Sequence, residues 1–89
     1  MIEFVWDGNF RRSYKKKIFR NTELRSKFNQ SIKMFSENPF NVKLKTHKLS
    51  GTLKDCWAFS VDYNFRIIFK FIDKNKVLLI DIGSHDEVY

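Results

Sequence analysis

The apolar residues of this chain change their spacing between residues 35 and 57, and that change constrains the fold more than any other feature. Before it, Phe10, Tyr14 and Ile18 fall four apart, and Leu24, Phe28, Ile32 and Phe35 form a second stripe of the same kind. Such spacing puts apolar side chains on one face of a helix. After it, Trp57, Phe59 and Val61 alternate with Ala58, Ser60 and Asp62, and Phe65, Ile67, Phe69 and Phe71 alternate with Arg66, Ile68, Lys70 and Ile72. A period of two is that of a strand. The two halves therefore differ in kind, and each presents an apolar face that must find the other.

Local breaks give the boundaries. Ile2 to Trp6 is a short strand-forming run, closed by Asp7-Gly8-Asn9. A helix is expected over Phe10 to Arg20, with Asn21-Thr22 ending it and capping the next. Glu37-Asn38-Pro39 stops the second helix. So short a connection predicts an antiparallel helix pair. Phe40 to Thr52 carries no regular pattern and holds His47, Leu49 and Gly51. Tyr63-Asn64 turns the chain between two strands, and Asp73-Lys74-Asn75-Lys76 leads into a last strand, Val77 to Ile82. The expected fold class is α+β, in the order β-α-α-β-β-β. An antiparallel meander carries the helix pair on one face, and its other face is open to a ligand. With 89 residues, one domain spanning 1–89 is expected. Ten phenylalanines, two tryptophans and three tyrosines give so short a chain a core of large rings.

Charge is unevenly placed. Residues 1–48 hold twelve of the seventeen Lys and Arg against four of the ten acids, whereas residues 49–89 balance five bases with six acids. The basic half, with Arg11, Arg12, Lys15, Lys16 and Lys17 around the first helical stripe, suits a phosphate backbone, an anionic surface or an acidic protein. Charge alone does not choose among them, and a solvated basic helix face is the plain alternative. The single cysteine, Cys56, allows no internal disulfide, and its apolar neighbours Trp57, Ala58 and Phe59 predict a buried thiol rather than a nucleophile. The N-terminal residues read as a strand rather than a signal segment, and no apolar run approaches the ~18 residues of a membrane span. A soluble cytoplasmic protein without membrane contact is the expectation.

Few residues could carry chemistry. The two histidines, His47 and His85, both lie off the apolar stripes, the first before the meander and the second just after the last strand. Together with Cys56 and scattered acids they show no zinc-type spacing, so neither metal nor cofactor is expected. Ser84-His85-Asp86 are sequence neighbours, which says nothing about a triad. Arg66 interrupts an apolar strand and shares its face with Ile68 and Lys70. It is either an exposed strand arginine paired with Asp62 or Asp81, or a guanidinium held in place to grip a phosphate.

At these residues the chain resembles the RelE/ParE superfamily of bacterial toxins, and most of all its YafQ-like messenger-RNA endonucleases. The resemblance rests on His47-Lys48-Leu49-Ser50-Gly51, on the run from Leu53 to Phe71 with Arg66 inside it, and on the closing Ile82 to Tyr89. The element order agrees as well. The resemblance implies a toxin of a type II toxin-antitoxin system, neutralised by a small antitoxin protein, that cuts messenger RNA on the ribosome without a metal. It implies His85 as general acid, His47 as general base or substrate-positioning group, and Arg66 as stabiliser of the phosphate charge. Lys54 and Tyr89 would help hold RNA beside Lys15, Lys16 and Lys17. Three positions depart from the family pattern: Ser60 stands where a histidine is usual, Asn64-Phe65 replace an Asp-Trp pair, and Asp81 replaces an arginine. The alternative reading is a ParE-like toxin of the same fold that acts by binding a protein such as DNA gyrase. A basic RNA-binding module with exposed stacking aromatics ranks lower, because periodicity places most of the rings in the core.

Overall fold

The computed structural model describes residues 2–51 and 55–84. The chain runs through β1 (Glu3–Trp6), α1 (Gly8–Lys17), α2 (Thr22–Glu37), a short 3-10 turn (Val42–Leu44), β2 (His47–Lys48), β3 (Trp57–Ser60), β4 (Phe65–Asp73) and β5 (Lys76–Ser84). The expected α+β order is present, with two helices against one sheet.

Caps fix the helices. The Asp7 carboxylate accepts from the Phe10 amide at 2.7 Å, so α1 begins at Gly8, inside the segment expected to be a break. It ends at Lys17 rather than Arg20, where the Ile18 amide donates to the Tyr14 carbonyl. Asn21 stands in extended backbone and its side chain accepts from the Leu24 amide at 3.0 Å. Asn21 thus caps α2, and its amide donates to the carbonyl of Ile18, the C-cap of α1, at 3.0 Å. The helices meet through Tyr14 and Phe28, whose ring centres are 5.0 Å apart.

The sheet has the order β1-β5-β4-β3-β2. The hairpins β3–β4 and β4–β5 are antiparallel, as the alternation requires, and β1 adds to β5 in parallel, with Phe4 opposite Val77 and Trp6 opposite Leu79. The sheet is therefore mixed, and a fifth strand, β2, extends it beyond β3. Strand β3 stops at Ser60, because Asp62 is a turn residue: its carboxylate accepts from the amides of Asn64 and Phe65, both at 2.9 Å. At the second hairpin the Asp73 carboxylate holds the Asn75 amide in the same way.

The face toward the helices buries Phe10, Ile18, Leu24, Phe28 and Phe35 against Phe59, Ile67, Phe69, Val77, Leu79 and Ile82. Phe35 is central, with ring centres 4.7 Å from Phe59 and 5.0 Å from Phe69. Burying a phenylalanine of this kind is worth roughly 2–3 kcal/mol, and its loss leaves a cavity as well. The opposite face is not wholly open. Leu49 and Cys56, joined by a 2.9 Å bond from the Leu49 amide to the Cys56 carbonyl, pack on Ala58 and Ile68. Cys56 is buried there, as its apolar neighbours predicted.

Helix α1 also closes a sheet edge. Beyond Trp6, β1 no longer covers β5, and α1 side chains take over: Asn9 Nδ2 donates to the Ile80 carbonyl at 2.9 Å, and Lys17 Nζ to the Ile82 carbonyl at 2.8 Å. Between them Ser13 Oγ donates to Asp81 at 2.7 Å. Strand carbonyls left without β1 find donors on the helix instead.

Candidate active site on the helix-free face of the sheet

Strand register decides which candidate residues share a face. His47 lies opposite Ala58, Ala58 opposite Ile68, Ser60 opposite Arg66, and Arg66 opposite Gly83. Ala58 and Ile68 belong to the cluster on the helix-free face, so strand alternation puts His47, Ser60 and Arg66 on that face too. His47 is thus on a short edge strand, not in the loop where its sequence context put it. Two strand spacings of about 4.8 Å and two residues of about 3.4 Å place the His47 and Arg66 backbones roughly 12 Å apart. An apolar floor of Ala58 and Ile68 lies between.

Arg66 is 5% exposed. Its Nη1 donates to the carbonyls of Asp62 at 2.6 Å, Tyr63 at 3.0 Å and Phe65 at 3.3 Å. The exposed strand arginine is therefore not what the structure holds. The guanidinium is fixed by the backbone of the 61–64 turn, and Gly83 presents no side chain across from it. Ser60 Oγ donates at 2.9 Å to the same Asp62 carbonyl, so Ser60 and Arg66 converge on one turn.

The departures from the family pattern have structural uses. Ser60 ties the turn just described. Asp81 accepts from Ser13 Oγ and from the Ile82 amide, which fastens α1 to β5. Asn64 is an exposed turn residue, and Phe65 is half-buried at the rim of the helix-side core. The basic residues of α1 also divide. Lys15 and Lys16 are exposed, whereas Lys17 is half-buried and bonded to β5. Lys17→Met is accordingly expected to lower unfolding free energy by about 1 kcal/mol, and Lys15→Glu with Lys16→Glu to leave it unchanged. Urea denaturation of the three proteins checks this.

His85, Lys54 and Tyr89 lie outside the described residues. Ser84, immediately before His85, pairs with Phe65, the neighbour of Arg66. A second basic surface is not apparent in the sequence. Lys27, Lys43 and Lys45 line a recess of about 280 Å³ beside Ser60 and Tyr63. Lys43 and Lys45, two residues apart in the sequence, are the signal available for it. A shallow groove of about 450 Å³ lies on α1 between Trp6, Tyr14 and Phe19, with Arg11, Lys15 and Arg20 around it. No group of three or more His, Cys, Asp or Glu side chains among the described residues could hold a metal ion. No described helix is long and apolar enough to cross a membrane.

Comparison with known proteins bears on this arrangement. Residues 2–89 match the model of the YafQ family, described as the bacterial toxin of a type II toxin-antitoxin system. No curated protein matches the sequence. Among solved structures, YafQ from E. coli strain BL21(DE3) superposes with a TM-score of 0.78 at 16% identity, covering 100% of this chain and 99% of that one. A copper-bound mutant toxin from Helicobacter pylori gives 0.77 at 18% identity, over 100% of both chains. A chain of the E. coli DinJ-YafQ toxin-antitoxin complex gives 0.75 at 17% identity, over 99% of this chain and 97% of that one. At these identities the structures establish a shared fold.

Proposed function

We propose that this chain, which belongs to the YafQ family of bacterial toxins of type II toxin-antitoxin systems, is an endoribonuclease that cuts messenger RNA on the ribosome. The observation that carries the reading is the placing of His47 and the buried Arg66 on one helix-free sheet face, two strands apart. A purely binding surface has no need of an imidazole near an immobilised cation.

The reaction assigned to this face needs no group beyond the chain's own. The 2′-hydroxyl of one nucleotide attacks the adjoining phosphorus, and the bond from phosphorus to the 5′-oxygen breaks, leaving a cyclic phosphate. His47 takes the hydroxyl proton, and His85 returns a proton to the departing oxygen. Arg66 stabilises the negative charge that builds on phosphorus, and burial makes its charge count for more than it would in water. Lys54 and Tyr89 hold the RNA nearby. Lys15 and Lys16 supply sequence-independent attraction to ribosomal RNA, which should fade with salt.

The test is single-turnover cleavage of message on programmed ribosomes, with ribosome binding measured in parallel. Cleavage supports the reading. Binding without cleavage would transfer the protein to the ParE-like class, and the bonds that occupy Ser60 and Asp81 would then explain why their positions no longer serve chemistry.

The antitoxin is assigned to the α1 groove. An acidic, amphipathic segment fits it, apolar against Trp6, Tyr14 and Phe19 and charged against Arg11, Lys15 and Arg20. Phe19 is half-exposed and carries the Arg25 guanidinium 5.6 Å from its ring centre. Phe19→Asp is expected to weaken binding of the small protein encoded beside this one by about 30-fold or more, while cleavage persists. Calorimetric titration gives the first value and the ribosome assay the second. Unchanged affinity would move the antitoxin elsewhere.

A further inference from the structure

The geometry points to Lys45 as the positioning residue of His47: its backbone carbonyl fixes a proton on Nδ1 and so makes Nε2 the atom that exchanges a proton with RNA. This rests on the reading of His47 as the base of the cleavage reaction.

His47 Nδ1 lies 2.8 Å from the Lys45 carbonyl oxygen. A carbonyl oxygen only accepts, so Nδ1 must carry the hydrogen. A neutral imidazole has one N–H, and with that hydrogen on Nδ1 the basic lone pair is on Nε2. A histidine free to exchange tautomers would present Nε2 in the proton-accepting form only part of the time. The contact thus selects the form that a base needs.

What aims the carbonyl is an unusual backbone. Lys45 has φ 53° and ψ 38°, in the left-handed region, and is the one non-glycine residue with positive φ among the described residues. Side chains other than glycine, asparagine and aspartate rarely adopt it, and it persists where the surroundings over-determine it. Here they do. The Asn41 side chain accepts from the Lys43 amide at 2.9 Å, and the Lys45 amide donates to the Val42 carbonyl at 3.3 Å. Leu44 is 1% exposed, a buried anchor for the 3-10 turn. Thr46 Oγ1 donates to the Pro39 carbonyl, and His47 is paired with Ala58 in the sheet. The segment is tied on both sides of Lys45, and the carbonyl direction follows.

The experiment compares the full-length toxin with Lys45→Val, Lys45→Gly and Lys45→Asn. All three remove the same charge, but valine resists left-handed backbone while glycine and asparagine accept it. Long-range proton–nitrogen NMR correlations of the His47 ring, taken where it is neutral, read the tautomer directly and also report whether each variant is folded. The wild type should show hydrogen on Nδ1. Lys45→Val should show a tautomer mixture and cut programmed ribosomes about tenfold more slowly. Lys45→Gly and Lys45→Asn should recover both the tautomer and most of the rate. Hydrogen on Nε2 in the wild type, or an unchanged tautomer in folded Lys45→Val, would overturn the inference. Equal rate loss in all three variants would also overturn it, since that marks a lost charge. If Lys45→Val mixes the tautomers but cuts at the wild-type rate, the proton-transfer role of His47 falls and its positioning residue with it, while the tautomer assignment stands.

Discussion

His85→Ala is expected to cut ribosome-bound message about 10²–10⁴-fold more slowly than the wild type while binding ribosomes equally well, because it removes the general acid and nothing else in the proposed scheme. An alkoxide leaving without a proton is a poor leaving group, so the loss belongs in the rate of bond breaking and not in affinity. His85→Gln should fall as far, since glutamine keeps polarity and approximate size but has no proton to deliver. The sequence places His85 directly after Ser84, which pairs with Phe65 beside Arg66. Single-turnover rates at saturating ribosomes separate chemistry from binding. Wild-type cleavage by His85→Ala would move the acid to another residue.

The second large effect is at Arg66. Arg66→Lys should lower the cleavage rate about 10²–10³-fold, because an ammonium cannot both hold the turn and meet a phosphate as a planar fork does. It should also destabilise the fold by about 1–3 kcal/mol, since Nη1 serves the carbonyls of Asp62, Tyr63 and Phe65 and a buried carbonyl left without its donor is costly. The two consequences need separating. Ser60→Ala supplies the control: it removes the other donor to the Asp62 carbonyl, for about 1 kcal/mol, and leaves the cation in place. Urea midpoints and cleavage rates of both variants decide the matter. If Arg66→Lys loses far more rate than its stability accounts for, and Ser60→Ala keeps cutting, the guanidinium fork acts in the reaction. A rate loss in Ser60→Ala as deep as that in Arg66→Lys would make Arg66 a turn clamp and no more.

Ser60 and Asp81, two of the positions at which this sequence departs from the expected pattern, are both tied into the fold. Where relatives are expected to carry a histidine and an arginine, these two residues make short hydrogen bonds that hold the 61–64 turn and dock α1. In this chain both positions serve the fold. The proposed scheme accordingly rests on His47, Arg66 and His85 alone.

The sequence by itself determined the two helices, four of the five strands and the class. Helices and hairpins are local: the spacing of Phe10, Tyr14 and Ile18, the cap at Asn21, and the alternation from Trp57 to Phe71 act over a few residues, and each element lies in the structure within a turn of where its pattern puts it. The burial of Cys56 and the core position of most rings follow from the same patterns. The resemblance added the family and its candidate residues. Only the tertiary structure decided the rest. That β1 joins β5 in parallel depends on contacts some seventy residues apart, and a run of four strand residues carries no mark of its partner. That His47 sits on a strand was hidden because β2 is two residues long, too short for alternation to register, and its pairing is set by β3. The burial of Arg66 was equally illegible: a charge on an alternating strand reads as exposed, and what permits burial is a turn whose carbonyls point back at it. The left-handed Lys45 lies furthest from the sequence. Nothing in a lysine announces that conformation, which exists because the bonds and packing on either side of it leave the backbone no other course.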